Sequence, residues 1–163
     1  VKIVNNNEFH TVRGYQLLDQ NKDKLTSSME DYLEMIYRYS LEDGYIRINL
    51  LAELLHVKAA SASRMVQKLG EIGLLNYKKY GIIILSENGK KIGEYLLERH
   101  HIIENFLKII SCEDGLLEQT ELMEHNISPQ TVHKINTLID FFDVNKNIAH
   151  NFKEYQKKSF TIE

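Results

Sequence analysis

From residue 48 to residue 85 the chain passes through a series of local signals that few folds satisfy together. Residues 48–55 read as a short helix with Leu51, Leu54 and Leu55 on its apolar side. His56-Val57-Lys58 follows as a tight turn. Ala59 or Ala60 opens a second helix that turns Met65, Val66 and Leu69 inward and runs to Ile72-Gly73. Residues 74–78 and 82–85 then read as two strands joined around Tyr80-Gly81, and the run Ile82-Ile83-Ile84-Leu85 suits a short hairpin. Two short helices across a tight turn, closed by a hairpin, form a winged helix-turn-helix pattern.

The flanking segments read as helices. Thr26-Ser27-Ser28 precedes Met29, Leu33, Ile36 and Tyr37 at helical spacing, a capped amphipathic helix ending near Asp43-Gly44. Glu30 and Asp31 stand three after Ser27 and Ser28, so either could complete a capping box. Residues 1–25 begin with Asn5, Asn6 and Asn7 and continue through Val12, Tyr15 and Leu18, an extension or arm of weak order with a short helix in it. Ser86 caps a long helix that tolerates Gly89 and Gly93. Its apolar residues (Ile92, Leu96, Leu97, Ile102, Ile103, Phe106, Leu107, Ile110) are too many for one stripe, which suits packing on its own chain and on a partner subunit. Glu113-Asp114-Gly115 breaks it, and a helix over 116–125 follows. Ser128-Pro129 restarts the chain as N-cap and first helical residue, ahead of Val132, Ile135, Leu138, Ile139 and Phe142. A polar helix over 145–158 comes last. The expected fold is mostly α: an extension over 1–25, a winged helix-turn-helix with a small β-hairpin wing over 26–93, and an all-helical domain over 94–163.

Net charge is −3, which argues against a nucleic-acid partner until it is divided along the chain. Residues 45–92 carry eight Lys/Arg against three acids; residues 93–163 carry seven against twelve, and residues 1–44 five against eight. A basic middle between acidic flanks suits phosphate at the centre and cations outside it. The second helix of the pattern would enter a major groove N-terminus first. Lys58, Ser61, Ser63, Arg64 and Lys68 are placed to reach bases or phosphates. Ala59, Ala60 and Ala62 are small enough for close approach and contact with thymine methyls. Lys78, Lys79 and Tyr80 at the wing tip would hold the backbone. No apolar run approaches the roughly 18 residues of a membrane span, and the N-terminus lacks a signal-peptide pattern. The single Cys112 excludes an internal disulfide framework. These features point to a cytoplasmic protein with no membrane contact.

Hard metal-ligand types recur at helical spacing. Asp31 and Glu34 are three apart on the first helix, His100 lies on the long helix, and Glu121, Glu124 and His125 cluster on a third. Taken one at a time, each is an ordinary capping, surface or core residue. Together, carboxylates and imidazoles without thiolate suit a divalent ion such as Mn(II) or Fe(II). His100 and its neighbour His101 point different ways, so one of them at most faces a given site.

Several runs, in order, resemble the diphtheria toxin repressor family, and most closely its manganese transport regulator branch. Residues 28–37 (Ser-Met-Glu-Asp-Tyr-Leu-Glu-Met-Ile-Tyr) resemble the opening helix. Residues 64–69 (Arg-Met-Val-Gln-Lys-Leu) resemble the recognition helix. Gly89-Lys90-Lys91-Ile92-Gly93 with Arg99-His100 resembles the linking helix, and Glu121-Leu122-Met123-Glu124-His125 the metal-binding helix. The likeness covers residues 26–158. It implies that Asp31, Glu34, His100, Glu121, Glu124 and His125 ligate a paired metal site in which Glu124 bridges. The iron-responsive branch has Met and Cys where this chain has Asp31 and Glu121, and oxygen at both favours Mn(II). His101 matches no ligand. Resemblance to the manganese branch also implies a regulator without a C-terminal SH3-like domain. Ala59 stands where the family often has Pro, so an operator sequence does not carry over.

The resemblance implies a homodimeric, Mn(II)-responsive transcriptional repressor of metal-uptake genes that binds double-stranded operator DNA, not an enzyme. Fe(II) or another divalent metal is the alternative cofactor. Two other readings compete: a metal-independent winged-helix regulator of the MarR type, and a dinuclear metal enzyme built on helical carboxylate and His pairs. The second would need open coordination positions and no basic wing.

Overall fold

The computed structural model describes residues 14–20 and 24–160. They fall into two compact units, one reaching to Leu97 and one starting at Glu98.

The first unit begins with helix α1 (residues 14–20) and continues with α2 (Ser27–Ser40), β1 (Ile46–Arg47), α3 (Ile48–Leu54), α4 (Ala59–Glu71), β2 (Leu75–Lys78) and β3 (Ile82–Leu85). The first half of α5 (Glu87–Ile109) completes it. Thr26 caps α2, its Oγ1 accepting from the Met29 amide at 3.3 Å. With the cap at Thr26 the position three residues on is Met29, so neither Glu30 nor Asp31 completes the expected capping box. Met29, Tyr32, Leu33 and Ile36 are buried at helical spacing, and they join Leu51, Val66, Leu69, Ile83, Ile92 and Leu96 in one core. Ala62 is fully buried in that core and does not contribute to a groove-facing surface, contrary to the sequence expectation. Its position, four residues before Val66 and seven before Leu69, places it on the inner stripe of α4.

The expectation of a weakly ordered arm also fails for part of residues 1–25. Tyr15, Leu17 and Leu18 pack against the core, and the Tyr15 ring lies 6.2 Å from that of Tyr95 on α5. Val12 and the asparagine run lie outside the described residues.

The wing is a three-stranded antiparallel sheet ordered β1-β3-β2, in which Leu75–Lys78 faces Leu85–Ile82 and Ile46 pairs with Ile83. The two-residue β1 is too short to show period-2 alternation, and it is defined only by its pairing with β3. A single 3-10 turn over Lys79–Gly81 joins β2 to β3, with Tyr80 at φ 65° and Gly81 at φ 72°. Ser86 fastens the wing to α5: its Oγ donates to the Gly73 carbonyl at 2.8 Å and accepts from the Gly89 amide at 3.1 Å. Ser86→Ala is therefore expected to cost about 1 kcal/mol, the usual scale for a lost helix cap, read as a lower urea midpoint at unchanged m value.

The second unit holds the rest of α5, then α6 (Leu116–Glu124), α7 (Pro129–Val144) and α8 (Lys146–Phe160). Ser128 caps α7, accepting from the Thr131 amide at 3.2 Å, with Pro129 at the first helical position as its sequence predicts. Ile103, Leu107, Val132 and Ile139 are buried. Phe142 and Phe152 stack at 5.3 Å and tie α8 to α7. Among the described residues no helix is long and apolar enough to cross a membrane.

Candidate functional site

The first candidate surface belongs to α4 and the wing. Lys58 is the N-cap residue of α4, so a lysine and the free amides of the first turn share one end of the helix. Lys58, Ala59, Ala60, Ser61, Arg64 and Lys68 are exposed, while Ser63 is half-buried. The opposite stripe, Ala62, Val66 and Leu69, is anchored in the core, which holds the polar face outward. Gln67, three after Arg64, is exposed beside it, and its carboxamide has the donor–acceptor pair that reads adenine. From sequence it stood out only as part of the run 64–69 that resembles a recognition helix, and was not singled out as a contact.

On the wing, Lys78, Lys79 and Tyr80 are all exposed, Tyr80 at 88%. Such exposure of an aromatic ring at a positive φ has no packing explanation. Arg47 was also missed. It is exposed on β1, where it pairs with Ile82 across from Lys78, and so it adds a cation to the sheet. The missing signal was β1 itself.

The second group is built from α5 and α6. His100 and Glu124 stand 24 positions apart in sequence, yet His100 Nδ1 lies 3.0 Å from Glu124 Oε2. His125 Nε2 lies 3.7 Å from the other oxygen, Oε1. Glu124 thus turns each carboxylate oxygen toward a different imidazole, and it is only 2% exposed. Its helix is held locally: Thr120, fully buried, donates its hydroxyl to the Leu116 carbonyl at 2.8 Å. A buried carboxylate requires compensation by charge or hydrogen bonds. The His100 hydrogen bond supplies it at one oxygen, and the His125 imidazole lies beside the other, a nitrogen–oxygen donor set suited to a divalent ion. Of the two adjacent histidines, His100 is buried and His101 exposed. Glu121, one turn before Glu124, is exposed on the same helix.

The remaining two predicted ligands belong to the first unit. Asp31 and Glu34 lie one turn apart on α2. Glu34 is buried, and its Oε1 accepts from Arg38 Nη2 at 2.7 Å.

Comparison with known proteins matches both segments of the chain. Residues 24–83 match the family model described as iron dependent repressor, N-terminal DNA binding domain. Residues 86–151 match the one described as iron dependent repressor, metal binding and dimerisation domain. The chain is 41% identical over 135 residues to the HTH-type transcriptional regulator MntR of Bacillus pumilus (strain SAFR-032), covering 82% of this chain and 94% of that one. Among solved structures, ScaR with bound Zn2+ aligns with a TM-score of 0.57 at 29% identity, over 69% of this chain and 54% of that one. The manganese regulator SloR aligns with a TM-score of 0.54 at 25% identity, again over 69% and 54%. With a basic helix-turn-helix surface in one unit and a His–Glu–His cluster around the buried Glu124 in the other, the chain belongs to the iron-dependent, or diphtheria toxin, repressor family of DNA-binding transcriptional regulators and is not an enzyme.

Proposed function

We propose that this regulator responds to manganese, binding double-stranded operator DNA as a homodimer when Mn(II) occupies a site made from Asp31, Glu34, His100, Glu121, Glu124 and His125. The observation that carries this reading is Glu124, buried with an imidazole at each oxygen. The donor set is hard: Asp31 and Glu121 add carboxylates where sulfur would favour softer metals. The structural likeness to a protein described as a manganese regulator supports the same choice.

When bound, the ion supplies positive charge that offsets repulsion among the clustered carboxylates. His100 and His125 offer neutral nitrogens, and Glu124 spans the two. Asp31 and Glu34 come from the helix that packs beside α4 in the DNA-binding core, so drawing them toward the His–Glu–His cluster would fix the recognition helix. Leu138, Phe141 and Val144 on α7 remain 42%, 47% and 82% exposed, an apolar surface that a second copy would cover. Two copies would present two α4 helices to successive major grooves. Ala59, Ala60, Ser61, Ser63 and Arg64 would face base edges there, with Lys58, Lys68, Lys78, Lys79 and Tyr80 on the backbone. The regulated genes would be those for manganese uptake.

The test is fluorescence anisotropy on promoter DNA of a manganese-uptake gene from the same organism, at fixed salt, with and without Mn(II). Binding that requires Mn(II) is expected, and by linkage DNA should tighten Mn(II) binding by the same factor. Tight binding that ignores metal would refute the sensor reading; stronger activation by Fe(II) under anaerobic conditions would move the assignment to iron. The double variant Lys78→Ala/Lys79→Ala should keep wild-type Mn(II) binding. Its log–log salt dependence of DNA affinity should flatten by about one per lysine removed per protomer.

A further inference from the structure

Arg38 is the only cation on α2, a helix that also carries Glu30, Asp31 and Glu34. One turn after Glu34, it donates from Nη2 to Glu34 Oε1 at 2.7 Å. An exposed pair at this spacing is an ordinary helix-surface contact of little consequence. This pair is not exposed in the ordinary way: the Glu34 side chain is 11% accessible and that of Arg38 37%. Arg38 Nε is itself buried and has no hydrogen-bond partner, so the guanidinium engages through one arm instead of bidentately. A guanidinium that gives up the solvation of one N–H to hold a single carboxylate oxygen is placed by that oxygen's charge. It occupies an atom that a cation would otherwise claim.

We propose that Arg38 is a built-in counter-cation for Glu34 that sets the protein's metal threshold. This rests on Glu34 being one of the metal ligands. In the metal-free protein Arg38 neutralises a buried carboxylate within an acidic stretch and so stabilises that state. The same positive charge weakens the pull of the site on a divalent ion, and Oε1 is available only after Arg38 yields it. Stabilising the metal-free form and lowering metal affinity are one effect seen from two sides. Arg38 does not ligate metal; it positions Glu34 and tunes it.

The full-length protein would be titrated with Mn(II), following free aqueous ion by EPR, for wild type, Arg38→Met, Arg38→Gln and Arg38→Lys. Removing one charge near a divalent ion at a partly exposed position should tighten Mn(II) binding by about tenfold in both neutral variants. Arg38→Lys, which keeps the charge, should stay near wild type. Without metal the neutral variants should melt lower than wild type, and Mn(II) should raise their Tm by more. Equal or weaker Mn(II) binding in the neutral variants would overturn the proposal. Glu34→Gln separates the two levels. If it loses Mn(II) while Arg38→Met binds like wild type, the role of Arg38 alone is refuted. If Glu34→Gln binds Mn(II) with full stoichiometry and affinity, Glu34 is not a ligand and both readings fall.

Discussion

Glu124→Ala is expected to lose metal-dependent DNA binding and to weaken Mn(II) binding by about 100-fold or more, beyond the range seen when only a supporting residue is removed. Both oxygens of Glu124 face imidazoles and its side chain is buried, so no water-exposed neighbour can replace it. The metal-free protein should still fold, because the substitution removes a buried carboxylate and leaves no charge stranded in its place. A buried imidazole left neutral costs far less than a buried charge left alone. Parallel urea melts and Mn(II) titrations check both halves. Cooperative metal-free unfolding with Mn(II) binding abolished would mark Glu124 as a ligand. Wild-type Mn(II) affinity in this variant would remove the central residue of the proposed site.

Gly89→Ala should destabilise the first unit by about 2–3 kcal/mol, although alanine normally improves a helix by about 1 kcal/mol over glycine. A methyl group at this position would fall on the Leu74 carbonyl oxygen and within 2.9 Å of its carbon. These are backbone atoms and cannot swing aside as a side chain could. The same carbonyl accepts from the Ser86 amide at 3.0 Å, so displacing it breaks the junction between wing and α5. The urea midpoint should fall. DNA affinity under metal-saturating conditions should fall with it, since the sheet that carries Lys78, Lys79 and Tyr80 is hung from that junction. A variant as stable as wild type would show that the wing and α5 can separate without cost.

Much of the architecture could be read from local spacing. The helix over Ser27–Ser40 follows from Met29, Leu33 and Ile36 at intervals of three and four behind a threonine cap. The restart at Ser128-Pro129 follows from a hydroxyl cap and a fixed proline φ. These signals involve atoms within one turn of helix, so they survive without knowledge of the rest of the chain. The candidate ligands were also legible, because Asp31 with Glu34, and Glu121, Glu124 and His125, sit at intervals of three and four on their own helices.

Other features depend on which surfaces meet. Ala62 looks the same as Ala59 and Ala60 in sequence, and only the packing of α4 turns it into the core and leaves the other two outside. Strand β1 exists because β3 offers it a partner. The short helix read in the N-terminal segment is present at residues 14–20, but its docking depends on Tyr15 meeting Tyr95 across 80 positions of chain. The candidate metal centre shows the division most clearly. The sequence by itself determined the chemistry, oxygen and nitrogen donors without thiolate. The tertiary structure decided that His100 and not His101 faces Glu124, and that Glu34 is buried. Donor type is a property of each residue, whereas burial and pairing are properties of two surfaces brought together, and no periodicity along a single helix encodes its partner.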